Sequence, residues 1–157
     1  CKIKGGEVTI KSSSGATVKG TKTLFDLNDG ANVSLDGIKM EKTSSNGGNY
    51  GVRAASGSTV EITNCSVEYH GYVNAPDTSF YGIYADSATI SVKNTSFVLT
   101  QSIDGYVSEM YGIFGNVSSI LRLSGINIIV AQSECAKNPR HTAYVRKEVA
   151  KYPSLRF

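Results

Sequence analysis

The chain has 157 residues, with 16 Lys and Arg against 13 Asp and Glu, and its net charge of +3 gives no overall pull toward nucleic acid. No run is long and apolar enough to cross a bilayer as a helix, and three cysteines, at positions 1, 65 and 135, are too few and too widely spaced for a disulfide framework or a zinc site. Sixteen glycines, no tryptophan and abundant Ser, Thr and Asn suit short strands joined by many turns.

In chain order, Cys1-Lys2-Ile3-Lys4 is already repeat-like material rather than a secretory signal, so the start reads as cut from a longer protein. Cys1 and Ile3, then Val8-Thr9-Ile10, form a partial first copy. The next copy places Phe25 and Leu27, Val33 and Leu35, then Ile38 and Met40 at period 2. Tyr50-Gly51-Val52-Arg53-Ala54 and Tyr81-Gly82-Ile83-Tyr84-Ala85 open two nearly identical stretches, 31 residues apart. Their apolar sets are Val52, Ala54, Val60, Ile62, Cys65, Val67 and Tyr69, and Ile83, Ala85, Ile90, Val92, Thr95, Phe97 and Leu99. A last copy holds Ile113, Gly115, Leu121, Leu123, Ile126, Ile128 and Val130, with one residue inserted around Asn116–Ser119.

Each copy therefore carries three short strands. The bend between the second and third falls at Asp36-Gly37, Thr63-Asn64, Lys93-Asn94 and Ser124-Gly125. Asn, Asp and Gly enter the left-handed region at least cost, and one such residue turns the chain without a hairpin. Recurring Asn-Gly or Asp-Gly hairpin tips are missing. Self-similarity at this period marks a solenoid, in which a copy buries its apolar face only against its neighbours. The predicted fold is an all-β, right-handed parallel β-helix over residues 1–132, with three strands per rung and about five rungs. Its inward columns include Ile38, Cys65, Thr95 and Ile126, and Met40, Val67, Phe97 and Ile128.

The third bend varies in length and composition: Glu41–Asn49, His70–Phe80, Thr100–Met110 and Ala131–Thr142. Variable loops on a rigid scaffold are where recognition concentrates. Residues 133–157 break the pattern. From 135 onward, Lys137, Arg140, Arg146, Lys147, Lys151 and Arg156 oppose Glu148 alone, a local +5 that leaves −2 for the rest. This segment reads as a basic terminal cap or tail, with Thr142–Tyr152 either a short helix stopped by Pro153 or a degraded rung.

Signs of catalysis are sparse. The outward first-strand positions are Asp26, Arg53, Tyr84 and Phe114, a single carboxylate facing a neighbouring arginine. Glycoside hydrolysis needs two carboxyls about 5–9.5 Å apart. Asp77, Asp86 and Asp104 are scattered over different turns. Neither His70 nor His141 has metal-ligand spacing to another residue, and Cys65 falls in an inward column, where a cysteine acts as a small hydrophobe. No catalytic residue, metal or cofactor is assigned. Four Asn-X-Ser sequons occur, at Asn32, Asn64, Asn94 and Asn116, and the bend itself explains Asn64 and Asn94. Arg53, Tyr84 and Phe114 form a candidate binding strip, beside a mixed solvated face as the plainer alternative; Tyr72 and Tyr106 join it from the loops.

The Tyr50–Tyr69 and Tyr81–Leu99 copies, with Asn bends and Ser/Thr-rich outward faces, resemble the passenger domain of a bacterial type V autotransporter. The opening Cys1–Ile10 and the stretch Lys22–Leu35 resemble, more narrowly, the inducible pro-angiogenic autotransporters of vasoproliferative pathogens. That resemblance implies a secreted or surface-exposed, non-enzymatic virulence fragment. Its partner would be a host cell-surface protein, such as a receptor tyrosine kinase ectodomain on endothelial cells. The basic tail adds heparan sulfate as a second partner; neither nucleic acid nor membrane insertion is expected. The other readings are a β-helix adhesin for anionic glycans, a polysaccharide-active enzyme fragment, and a structural spacer.

Overall fold

The computed structural model describes residues 1–43, 50–73, 80–103, 110–116 and 118–132. These are all β, in thirteen strands: β1 (Lys2–Lys4), β2 (Glu7–Lys11), β3 (Thr17–Gly20), β4 (Phe25–Asn28), β5 (Asn32–Asp36), β6 (Lys39–Lys42), β7 (Tyr50–Ala55), β8 (Thr59–Thr63), β9 (Ser66–Val73), β10 (Phe80–Asp86), β11 (Thr89–Ile103), β12 (Met110–Gly115) and β13 (Ile120–Gln132). Every pairing is parallel. One sheet runs β1-β4-β7-β10-β12. The other runs β2-β5-β8-β11-β9-β6-β3, with β13 also on β11. All-β architecture with parallel sheets, each strand paired to its counterpart in the next sequence copy, is compatible with a parallel β-solenoid.

The registers follow the repeat. Tyr81 sits between Tyr50 and Tyr111, Ile83 between Val52 and Ile113, and Ile90 between Val60 and Leu121. The expected inward residues of the middle copies are buried, among them Leu27, Leu35, Met40, Val52, Ile62, Ile83, Ile90 and Phe97 at 0% exposure. These eight belong to one core cluster, while Tyr69 and Leu99 form a second, smaller one with Phe80. The two ends differ. Ile3, Val8, Ile10 and Val18 at one end, and Ile113, Leu121, Leu123 and Ile126 at the other, are only partly buried. Ile128, expected inside, is exposed, because among the described residues its column has a neighbour on one side alone.

The Asn/Gly corner is as expected. Gly37, Asn64, Asn94 and Gly125 all have φ between 48° and 68°. Asn94 Nδ2 donates to Asn64 Oδ1 at 3.4 Å, and Asn64 Nδ2 to Asp36 Oδ1 at 3.0 Å. A side chain on Gly125 would put Cβ 2.5 Å from Asn94 Oδ1. The inserted residue of the last copy also appears: Ala85 pairs with Gly115, but Thr89 with Ile120. Asn116 spans the gap, its Oδ1 accepting from the Ser118 and Ser87 amides.

Four features depart from the sequence reading. First, the earliest copy has a full third strand, β3, whose Val18 pairs with Met40. Second, a second left-handed corner recurs between the first and second strands, at Gly5-Gly6, Asp29-Gly30, Ser56-Gly57 and Ser87. Third, the strands run on into the expected third-bend loops: Glu41–Lys42, His70–Val73 and Thr100–Ile103 are paired strand. Polar outward residues there disguise a ladder that continues as long as a neighbour supplies partners. Fourth, Lys42, expected in a loop, is an inward residue at 1% exposure, in register with Tyr69 and beyond it Leu99. Its Nζ donates to the Thr21 carbonyl at 3.0 Å and lies 5.7 and 6.0 Å from the ring centres of Tyr69 and Phe80. The variable-loop residues 44–49, 74–79 and 104–109, and the basic segment 133–157, lie outside the described residues.

Burial pulls the Lys42 ammonium down to about 8 from its ordinary 10.5. Between those two values the unfolded chain still holds a proton that the folded chain has released, so Lys42 makes stability rise with pH across that window. Urea unfolding of wild type and Lys42→Met at pH 7 and pH 10 is expected to show this rise in the wild type and a smaller one in the variant; equal rises would refute it.

The Tyr-Gly pairs also have a packing cause. At Gly51, Gly82 and Gly112 an added Cβ would point inward. On Gly82 it would meet the Gly112 carbonyl oxygen at 2.6 Å and Phe97 Cδ1 at 2.9 Å; on Gly51, the Gly82 carbonyl oxygen at 2.6 Å. Gly82→Ala is therefore expected to cost about 1–3 kcal/mol, as overpacking does, read as a lower urea midpoint.

Candidate functional site

The glycine column has an outward consequence. With Gly51 and Val52 both turned inward, Tyr50 and Arg53 on either side of them lie on the outer surface. The same holds for Tyr81 and Tyr84, and for Tyr111 and Phe114. Parallel register then stacks like on like. Tyr81 lies between Tyr50, with ring centres 5.5 Å apart, and Tyr111, 4.9 Å apart at 6°. Tyr84 stacks on Phe114 at 5.6 Å and 5°. The two rows interlock: Tyr81 meets Tyr84 and Phe114 edge-on, and Tyr111 meets Phe114 likewise. Six half-buried residues, five aromatic rings and Arg53, thus form one surface across β7, β10 and β12; among the described residues each row reaches as far as β12.

The strip changes character along one column. Lys2, Asp26, Arg53, Tyr84 and Phe114 are in sequential register. At the charged end Arg53 Nη1 donates to Asp26 Oδ1 at 2.9 Å and to Asn28 Oδ1 at 3.3 Å, and Asn28 Nδ2 also donates to Asp26. Burial alone would raise the Asp26 carboxyl, but the hydrogen bonds from Arg53 and Asn28 outweigh it and hold it below the usual value. Asp26 is thus a neutralised carboxylate rather than a general acid. Burial, with Asp86 nearby, pushes the Tyr84 phenol upward, so it remains a neutral hydroxyl at physiological pH. Past Tyr84 the strand ends at Asp86, which accepts from the Asn116 side-chain amide.

Of the five residues expected to bind, Arg53, Tyr84 and Phe114 come together here. Tyr72 belongs to β9 in the other sheet, and Tyr106 lies outside the described residues. The sequence reading missed Tyr50, Tyr81 and Tyr111, which complete the surface. Their recurrence was plain, but strict alternation from Arg53 and Tyr84 does not place the residue three positions earlier on the same face. His70, expected in a loop, is in strand β9, with Nδ1 2.7 Å from Thr100 Oγ1. Cys65 is buried, its Sγ facing the Thr63 carbonyl at 3.2 Å, and burial pushes its thiol up, away from reactivity. Among the described residues no group of three His, Cys, Asp or Glu side chains is placed to hold a metal ion.

Compared with protein families, curated proteins and solved structures, the chain matches none.

Tyr81 is the centre of the ladder. Stacked pairs contribute about 0.5–1.5 kcal/mol each beyond burial, and Tyr81→Ala removes two. The expected outcome is a loss of about 1–3 kcal/mol with a reduced near-UV circular dichroism signal, whereas Tyr50→Ala removes one stacked pair and loses less.

Proposed function

We propose that the chain is a non-enzymatic recognition module, built as a right-handed parallel β-helix of about five three-stranded rungs, whose aromatic strip docks a protein on the surface of a host cell. The observation that carries this is the interlocked ladder of Tyr50, Tyr81, Tyr111, Tyr84 and Phe114. Within the ladder the ring faces are taken up by other rings, so much of what is offered outward is ring edge and hydroxyl. Sugars stack on open ring faces; protein surfaces accept rigid tyrosine edges, which supply contact area at low entropic cost. Arg53, fixed by Asp26 and Asn28, adds an oriented cation at one end. The neutralisation of Asp26 speaks against polysaccharide cleavage at this face. The autotransporter resemblance of the copies supplies the partner class, a growth-factor receptor ectodomain on endothelial cells, and the secreted or cell-surface location.

A surface-binding assay against a panel of endothelial receptor ectodomains tests this. The expected result is binding to at least one, with Tyr84→Ala and Phe114→Ala each weakening it by about tenfold or more, as central interface aromatics do. Binding to none of them, or binding indifferent to both substitutions, overturns the reading. Retention on heparin alone, unaffected by those substitutions, would favour the anionic-glycan adhesin.

A further inference from the structure

The two outward rows differ at β7. One has tyrosine at all three rungs, Tyr50, Tyr81 and Tyr111; the other has Arg53, then Tyr84 and Phe114. A ring at position 53 would extend the stack, so the arginine has another cause. Neutralising Asp26 explains only part of it. An arginine held solely for a carboxylate pairs fork to fork, through two nitrogens. Arg53 gives Asp26 one, Nη1, and shares that same nitrogen with Asn28 Oδ1. Its Nε and Nη2 make no bond among the described residues. These two nitrogens form one edge of the guanidinium, an edge that takes both oxygens of a carboxylate. The side chain is 33% exposed, so that edge is within reach of a partner. Asp26 also lies between Lys2 and Arg53 in register, so two cations share one carboxylate and a positive charge is left over.

We infer that the Nε–Nη2 edge of Arg53 binds a carboxylate of the docked protein, an Asp or Glu side chain with an apolar neighbour over Tyr84 and Phe114. This rests on the reading of the strip as a protein-docking surface. Asp26 and Asn28 hold the guanidinium through Nη1, so it is oriented before a partner arrives and has less freedom to lose. Tyr84 is next in register, and its half-buried ring shields one side of the pair, where a charge-assisted bond is stronger than in open water. Rungs are about 4.8 Å apart and an extended chain rises about 3.3 Å per residue. A segment lying along this column therefore carries its acidic residue about three positions from the apolar residue over Phe114. A sulfated glycan would need several open cations in line, whereas Lys4 on this face has Asp29 at 3.9 Å and Arg53 has Asp26.

The probe is 3-phenylpropionate, a carboxylate with an apolar ring close behind it, and 3-phenylpropionamide is its uncharged twin. Each is titrated into the full chain while NMR follows the Arg53 Nε–H and the Tyr84 ring. The acid is expected to shift both signals saturably, and the amide to bind at least about tenfold more weakly. In Arg53→Gln and Arg53→Lys the Tyr84 shift should be lost, since lysine keeps the charge but not the fork. Asp26→Asn removes the competing charge, leaves an acceptor for Nη1, and should bind the acid more tightly. No shift with the acid, equal shifts with acid and amide, or Arg53→Lys binding as well as wild type overturns the inference. Shifts produced by a heparin hexasaccharide but not by the acid overturn it in favour of an anionic glycan. If a receptor ectodomain binds through Tyr84 and Phe114 yet ignores both Arg53 variants, this inference falls and the docking reading stands. Acid binding with no ectodomain bound leaves the carboxylate site standing and overturns the docking reading.

Discussion

Parallel, in-register stacking is the constraint from which the rest follows. Each copy lies about 4.8 Å from the next, and residues at equal positions become direct neighbours. Any residue type is therefore selected for what it does beside its own counterpart. Apolar residues do this without cost, hence the fused columns through Met40, Val67 and Phe97. Glycine does it where there is no room for a Cβ, at Gly51, Gly82 and Gly112. Asparagine does it through its own amide, as Asn94 to Asn64, because one side chain carries both donor and acceptor.

Charge cannot be stacked on like charge so easily, and the structure shows how it is managed. The column Lys2, Asp26, Arg53 alternates in sign. Glu41 and Glu68 are adjacent in register, but each has its own cation: Lys19 at 2.6 Å and Lys39 at 2.8 Å. The hydrogen bond from Lys19 holds the Glu41 carboxyl below its usual value, and the hydrogen bond to Glu68 holds the Lys39 ammonium above its own. These are exposed pairs of small individual worth; their role is to remove a repulsion that in-register stacking would otherwise impose.

The aromatic surface is the same constraint turned outward. Tyrosine beside tyrosine stacks, so a repeated Tyr-Gly pair yields a rigid ladder. Lys42 shows the limit of the pattern. It occupies a column shared with Tyr69 and Leu99, and its amine finds the Thr21 carbonyl and two aromatic rings rather than water. Nothing in the composition of Glu41–Asn49 announces a strand whose last residue turns inward.

The sequence alone determined the repeat, the inward columns of the middle copies, the Asn/Gly corner, the inserted residue near Asn116 and the Asp26–Arg53 pairing. All of these are periodic, and parallel stacking converts a period directly into a neighbour. The tertiary structure decided what depends on the next copy's atoms. Strands persist into polar segments only where a neighbouring edge pairs with them. Lys42 is buried only because Tyr69 lies beside it. Tyr50, Tyr81 and Tyr111 share a face with Arg53, Tyr84 and Phe114 only because the glycine between them must turn inward against the adjacent backbone, which breaks the simple alternation that a single strand would suggest.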